Sequence, residues 1–155
     1  MNVVSVFYTT IATIPPRIDS ETTMQYVFAQ TYRAFPSPSG MIWSDVDITN
    51  QGPMQLLITA LVRCTILTLD SIIIKQRNSV TCYRVEVHAQ QRLAHPQLWE
   101  SVALSIHCAR TTCDHASLER ALHIVPRYCP VHATIAQTTD LTHQIAIDTT
   151  AEDVT

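Results

Sequence analysis

The segment PMQLLITALVRCTILTLDSIIIK, Pro53 to Lys75, restricts what this chain can fold into more than any other feature. It has nearly the length of a membrane span, which takes about 20 mostly apolar residues. Arg63 and Asp70 stand inside it, however, and each would cost roughly 2.5–3.5 kcal/mol at the centre of a bilayer. No membrane partner is therefore expected, and the segment reads as a helix buried in a protein core. Its many β-branched residues favour strand locally, but strands average about 5–6 residues, and neither Gly nor Pro interrupts Met54 to Ile74. Length decides for a helix. Pro53 suits its first turn, Asn50 or Gln51 is expected near the cap, and the polar run Lys75 to Asn78 ends it. On a period of 3.6, Leu57, Ala60, Leu61, Cys64, Leu67, Thr68 and Ser71 share a face, expected to be the packed one, while Arg63 and Asp70 share another. A helix this apolar needs more cover than one chain of 155 residues offers, which predicts a homodimer.

The rest of the chain supplies strands and shorter helices. Val3 to Tyr8 and Met24 to Gln30 read as strands of an N-terminal meander, with a turn at Pro15-Pro16-Arg17 and a loop from Phe35 to Gly40. After the long helix, SVTCYRVEVHAQQRL and LWESVALSIHCA read as two strands joined by a turn at AHPQ. DHASLERALHIV is an amphipathic helix capped by Asp114 and closed by Pro126, and a second short helix starts at Pro130. LTHQIAID is a final strand, and residues 149–155 form a flexible tail. These elements predict one α+β domain over residues 1–155: a β-meander, a long buried central helix, a β-hairpin, two short helices and a C-terminal strand.

Charge excludes one class of function. Only 15% of residues are charged, the formal net charge is −3, and no run of Lys or Arg offers a footprint for nucleic acid. The apolar N-terminus lacks the basic region and cleavage site of a secretory signal, so a cytoplasmic location is expected. Five cysteines, without the even, tight spacing of a disulfide scaffold, fit a reducing compartment in which thiols are buried or kept for chemistry.

Two of them stand apart. Cys64 lies in the middle of the long helix, and Cys129, in RYCPVHATI, opens the last helical segment, where free backbone N–H groups favour a thiolate. The pair formed by PMQLLITALVRC and, far downstream, ALHIVPRYCPVHATI and DLTHQIAI resembles the OsmC/Ohr family of thiol-dependent peroxidases and their relatives, over Asn50 to Asp148. The resemblance implies an OsmC-like fold, an intertwined dimer, and a peroxidatic Cys64 that attacks an organic hydroperoxide and becomes a sulfenic acid. Cys129 then resolves that acid into a disulfide, which a cellular dithiol reduces. No metal or other cofactor is implied. The family also supplies an Arg from the N-terminal meander, held by a Glu ten residues before the cysteine. Here that position is Met54, with Gln55 beside it, and Arg17 and Arg33 are the candidate activating cations. Arg63 is adjacent to Cys64, but consecutive helical side chains diverge by about 100°.

Other candidates receive structural readings. Cys82 and Cys108 lie in predicted strands and are expected to pack. HCARTTCDH gathers His107, Cys108, Cys113 and His115, but neighbours in a strand face opposite sides, so at most three ligands converge and a zinc site is not expected. His132 and His143 read as surface or satisfied core residues, and Arg63 with Asp70 as a solvated or intersubunit ion pair. Two functions remain open: a cysteine-based reductase of organic hydroperoxides, and a non-catalytic dimer of the same fold that binds a small apolar ligand or senses redox state.

Overall fold

Two 13-residue strands, β4 (Val80–Arg92) and β5 (Trp99–Thr111), form the antiparallel hairpin on which the rest of the domain is built. The computed structural model describes residues 14–20, 23–34, 42–44 and 48–149. Along the hairpin apolar residues alternate with polar ones, so that Tyr83, Val85, Val87 and Ala89 of β4 and Val102, Leu104, Ile106 and Cys108 of β5 are buried on one face. β2 (Thr23–Ala34) pairs antiparallel with β4 from Thr23 to Arg33. On the opposite edge of β2 lie β1 (Ile14–Ser20) and the short β3 (Ile42–Ser44), both antiparallel to it.

The other side of the sheet closes differently. After β5 the chain forms α2 (His115–Tyr128) and α3 (Pro130–Ile135), then returns as β6 (Asp140–Ile147), which lies parallel to β5. A parallel pair requires such a crossover, and the two helices supply it on the face that also holds α1 (Pro53–Lys75). Ile58, Leu61, Val62, Ile66, Leu69 and Ile73 of α1 are fully buried there, with Leu118, Ala121, Leu122 and Val125 of α2 in the same core. Trp99 fixes the start of α1: its indole N–H donates to the Met54 carbonyl oxygen at 3.1 Å, and its ring meets Tyr26 edge-on at 5.1 Å. α1 is long and apolar enough to cross a membrane, with mean hydropathy 2.0, but half of its most apolar stretch is buried within the domain.

The α+β order of elements is as expected from sequence, with several corrections. Pro15, Pro16 and Arg17 belong to β1 rather than to a turn. The pairing with β2 shifts between Ile14 and Arg17, and an edge strand at a bulge is where proline is tolerated, since it has no N–H to contribute to a ladder. The expected strand at Val3 to Tyr8, the loop at Phe35 to Gly40 and the tail beyond residue 149 lie outside the described residues. The cap of α1 is Gly52, whose N–H donates to Gln55 Oε1 at 3.3 Å, while Gln51 is engaged by the Thr59 hydroxyl. Pro126 does not close α2, which continues to Tyr128. The loss of one N–H is offset by the burial of Val125 and Cys129 on either side and by a 2.9 Å bond between Cys129 N–H and the Val125 carbonyl.

The face of α1 is the largest correction. Leu57, Leu67, Ala60 and Ser71, expected to pack, are exposed, together with Leu56 and Ile74. The buried stripe is rotated away from them, through Ile58, Val62, Thr65, Ile66 and Leu69. Apolar residues line both sides of this helix, so periodicity alone does not distinguish the side facing the sheet from the side facing outward.

Candidate functional site

The middle of α1 meets the α2–α3 junction at a pair of thiols. Cys64 is half-buried, on the border between the packed stripe of α1 and its exposed side, and Cys129 is 1% exposed. Their sulfurs are 2.8 Å apart, with the Cys129 S–H placed to donate to Cys64 Sγ. Both are free thiols, and the separation exceeds the S–S bond length of about 2.05 Å. The two residues are 65 positions apart in sequence; the extension of α2 past Pro126 and the start of α3 at Pro130 deliver Cys129 to this spot.

Cys129 closes one helix and caps the next. Its sulfur accepts the His132 N–H at 3.4 Å, as a side chain at an N-cap does. Amide donors favour a thiolate, as the sequence suggested, but they do not prevail. Burial, and then the hydrogen bond to Cys64, push the Cys129 thiol up to about 11 against the opposing pull of the His132 and Val131 amides. Cys129 therefore keeps its proton at neutral pH.

The two expected arginines lie in different strands. Arg17 lies in β1, at the sheet edge. Arg33 lies in β2 opposite Cys82 of β4, and both alternate with residues that face α1: Tyr32 and Tyr83 are buried on the helix side. The Arg33 charge accordingly acts on Cys82, where with Arg110 it opposes the upward shift that burial imposes on that thiol. The expectation that Arg33 faces the long helix is corrected: a one-residue difference in strand phase turns it to the outer face. Arg63 is exposed.

The region where α1 starts holds a polar network that the sequence did not suggest. The Gln30 side-chain amide donates to Thr59 Oγ1 at 2.9 Å, the Thr59 hydroxyl donates to Gln51 Oε1 at 2.8 Å, and Tyr32 donates to Gln30 Oε1. Four uncharged side chains thus tie β2 to the start of α1, and Met54 packs against the core. The signal was a pair of buried-strand polar residues, Gln30 and Tyr32, spaced by two.

Two imidazoles meet where α3 and β6 come together. The rings of His132 (α3) and His143 (β6) meet edge-on with centroids 5.9 Å apart. Burial lowers the basicity of both, and the neighbouring rings lower His143 further. His132 Nε2 is buried and has no hydrogen-bond partner among the described residues, so this side chain is not the satisfied histidine expected. Asp70 likewise departs from expectation: it is 4% exposed and accepts a 2.7 Å hydrogen bond from the Tyr83 hydroxyl, with no ion pair to Arg63. In the HCARTTCDH run, His107 lies 3.9 Å from Glu86, whereas Cys108 is buried on the helix side, its thiol pushed up to about 12 chiefly by burial. Among the described residues no three His, Cys, Asp or Glu side chains are grouped as a metal site requires.

A family model described as "OsmC-like protein" matches residues 48–144, from just before α1 into β6. No curated protein matches the chain. Among solved structures, a hypothetical protein from Aquifex aeolicus VF5 superposes with a TM-score of 0.60 at 18% identity, covering 86% of this chain and 92% of that one. An OsmC-like protein from Mycoplasma pneumoniae gives 0.56 at 11% identity, over 78% of this chain and 94% of that one. An organic hydroperoxide resistance protein OsmC from Legionella pneumophila gives 0.53 at 15% identity, over 91% and 98% respectively. At these identities the likeness is one of fold.

Proposed function

The chain belongs to the OsmC-like protein family, and from that premise we propose that it reduces organic hydroperoxides with the Cys64–Cys129 thiol pair. The observation that carries this reading is the 2.8 Å approach of two free sulfurs drawn from segments far apart in sequence. Their unequal burial supports one order of events, with Cys64 reacting first. Cys64 is half-buried and open to a small molecule, whereas Cys129 is 1% exposed and is not attacked first.

In the first step the Cys64 thiolate attacks the outer oxygen of the hydroperoxide. The O–O bond breaks, its electron pair leaves on the alkoxide, which takes up a proton to become the alcohol, and Cys64 is left as a sulfenic acid. In the second step Cys129 attacks that sulfur. The S–S bond forms as the S–O bond breaks, and the Cys129 proton leaves with the hydroxide as water. A dithiol reductant then exchanges with the disulfide, restoring both thiols and becoming a disulfide itself. The adjacency of the second thiol limits over-oxidation of the first.

The active form we propose is a homodimer. Leu56, Leu57, Leu67 and Ile74 are exposed along one side of α1, at 37%, 40%, 37% and 47%, and a second copy is the simplest cover for an apolar stripe of this length. A second reading is favoured by one feature. An open groove of about 590 Å³ runs between the C-terminal half of α1 and α2, walled by Leu67, Thr68, Ile72, Ile124 and Tyr128. A non-catalytic protein of the same fold would hold a small apolar ligand there.

The two readings separate in stopped-flow experiments with cumene hydroperoxide. The reduced protein is expected to consume one equivalent of peroxide rapidly, and Cys64→Ser to consume none at that rate. Equal consumption by both would remove Cys64 from the reaction and leave the ligand-binding reading.

A further inference from the structure

A thiol used as a nucleophile must be held as a thiolate, and a position in the middle of a helix offers no help from a helix terminus. Among the described side chains, Arg33 acts on Cys82 across the sheet, and Arg63, next to Cys64 in sequence, is exposed about 100° round the helix. What does lie against the Cys64 sulfur is the Cys129 thiol, its sulfur 2.8 Å away. We infer that Cys129 is an activating residue as well as a resolving one: its S–H donates to Cys64 Sγ and holds that sulfur in the charged form that reacts.

The geometry supports each part of this role. A hydrogen bond to an ionised acceptor is roughly twice as strong as one between neutral groups, which compensates for a weak S–H donor. Paired thiols in Cys-X-X-Cys motifs show the same effect, one sulfur being stabilised as thiolate beside the other. The donor must keep its proton while the acceptor loses its own. Burial of Cys129 and the bond to Cys64 both act in that direction. At its cap position the Cys129 sulfur also accepts the His132 N–H at 3.4 Å, which holds the side chain in place. The proton is surrendered later, once Cys64 has become a sulfenic acid and no longer needs a donor.

This role deepens the peroxidase reading but can be tested without any peroxide. The measurement is the rate at which iodoacetamide alkylates Cys64 at pH 7, followed by mass spectrometry of the Cys64 peptide, in wild-type protein, Cys129→Ser and Cys129→Ala. Serine keeps an O–H donor at the same place and cannot resolve; alanine keeps neither function. The expected result is that Cys129→Ala slows alkylation by about tenfold, while Cys129→Ser stays close to wild type. Loss of bulk alone would open the Cys64 sulfur and speed the reaction, so slowing reports the lost donor. Should Cys129→Ala fail to fold, Cys129→Val fills the space without restoring a donor and takes its place in the comparison. Alanine or valine variants that react as fast as the serine variant would overturn the inference. A wild-type protein inert to hydroperoxide but with this alkylation pattern would overturn the peroxidase reading and leave the activating contact standing.

Discussion

A carboxyl group buried on the inner side of a helix needs a partner, and Asp70 has one in the Tyr83 hydroxyl at 2.7 Å. Burial raises the Asp70 pKa from its ordinary 3.8, against a smaller opposing effect of the hydrogen bond, and burial followed by the Asp70 charge raises that of Tyr83. A raised folded-state pKa means that the native state binds the proton more tightly than the unfolded chain. The associated stability is present at acid pH and is lost as pH rises from about 3.8 through the folded-state value. Asp70→Asn, which still accepts from Tyr83, is expected to match or exceed the wild type in denaturant unfolding at pH 7 and to remove this part of the pH dependence. Asp70→Ala leaves the phenol without an acceptor and should cost about 1–3 kcal/mol. Periodicity placed Asp70 with Arg63 because the two are seven residues apart, yet the border of the packed stripe of α1 falls between them and leaves a buried acid beside an exposed base.

The shortest helix is capped by Cys129 and carries one of two partly buried imidazoles that meet edge-on. His132 on α3 and His143 on β6 stack edge-on, with His123 of α2 acting on His143 as a third titrating neighbour and apolar Leu104 as the β5 partner of His143. Both basicities are lowered, chiefly by burial. The native state therefore binds fewer protons than the unfolded chain once pH falls below about 6.5, and stability present above that pH is lost on acidification. Hydrogen-exchange protection of α3 is expected to fall between pH 8 and pH 5, and His143→Phe should flatten that change; equal loss in the variant would assign it to other groups. Elements of this kind were legible in part. The length of α1, the AHPQ turn, the Asp114 cap and the start of α3 at Pro130 all follow from local chemistry that tertiary packing did not overrule. Pro126 misled, because the burial of Val125 and Cys129 outweighs one absent N–H. The parallel return of β6 was not legible, since pairing direction depends on where the crossover helices pack rather than on the strand itself.

In the whole molecule, the sheet buries one side of α1 and leaves the other apolar. Leu67→Arg should therefore leave the monomer fold intact while shifting a dimer to monomer by light scattering at micromolar concentration, whereas Ile66→Ala, one residue away on the buried stripe, should cost about 2–5 kcal/mol of stability. A wild type that is already monomeric would contradict the dimer. The thiol pair was legible through the resemblance of PMQLLITALVRC and RYCPVHATI to the OsmC/Ohr family; the phase of β2, and with it the position of Arg33, was not, because alternation in that strand gives no indication of which face meets the helix. The central claim is that Cys64 and Cys129 form one redox unit, and its most direct test is a thiol count with peptide mapping after reduced protein is treated with excess organic hydroperoxide. The account predicts that two of the five thiols are lost and recovered as a single Cys64–Cys129 disulfide, with Cys82, Cys108 and Cys113 still titratable. Five titratable thiols after treatment, or a disulfide that joins any other pair, would contradict it.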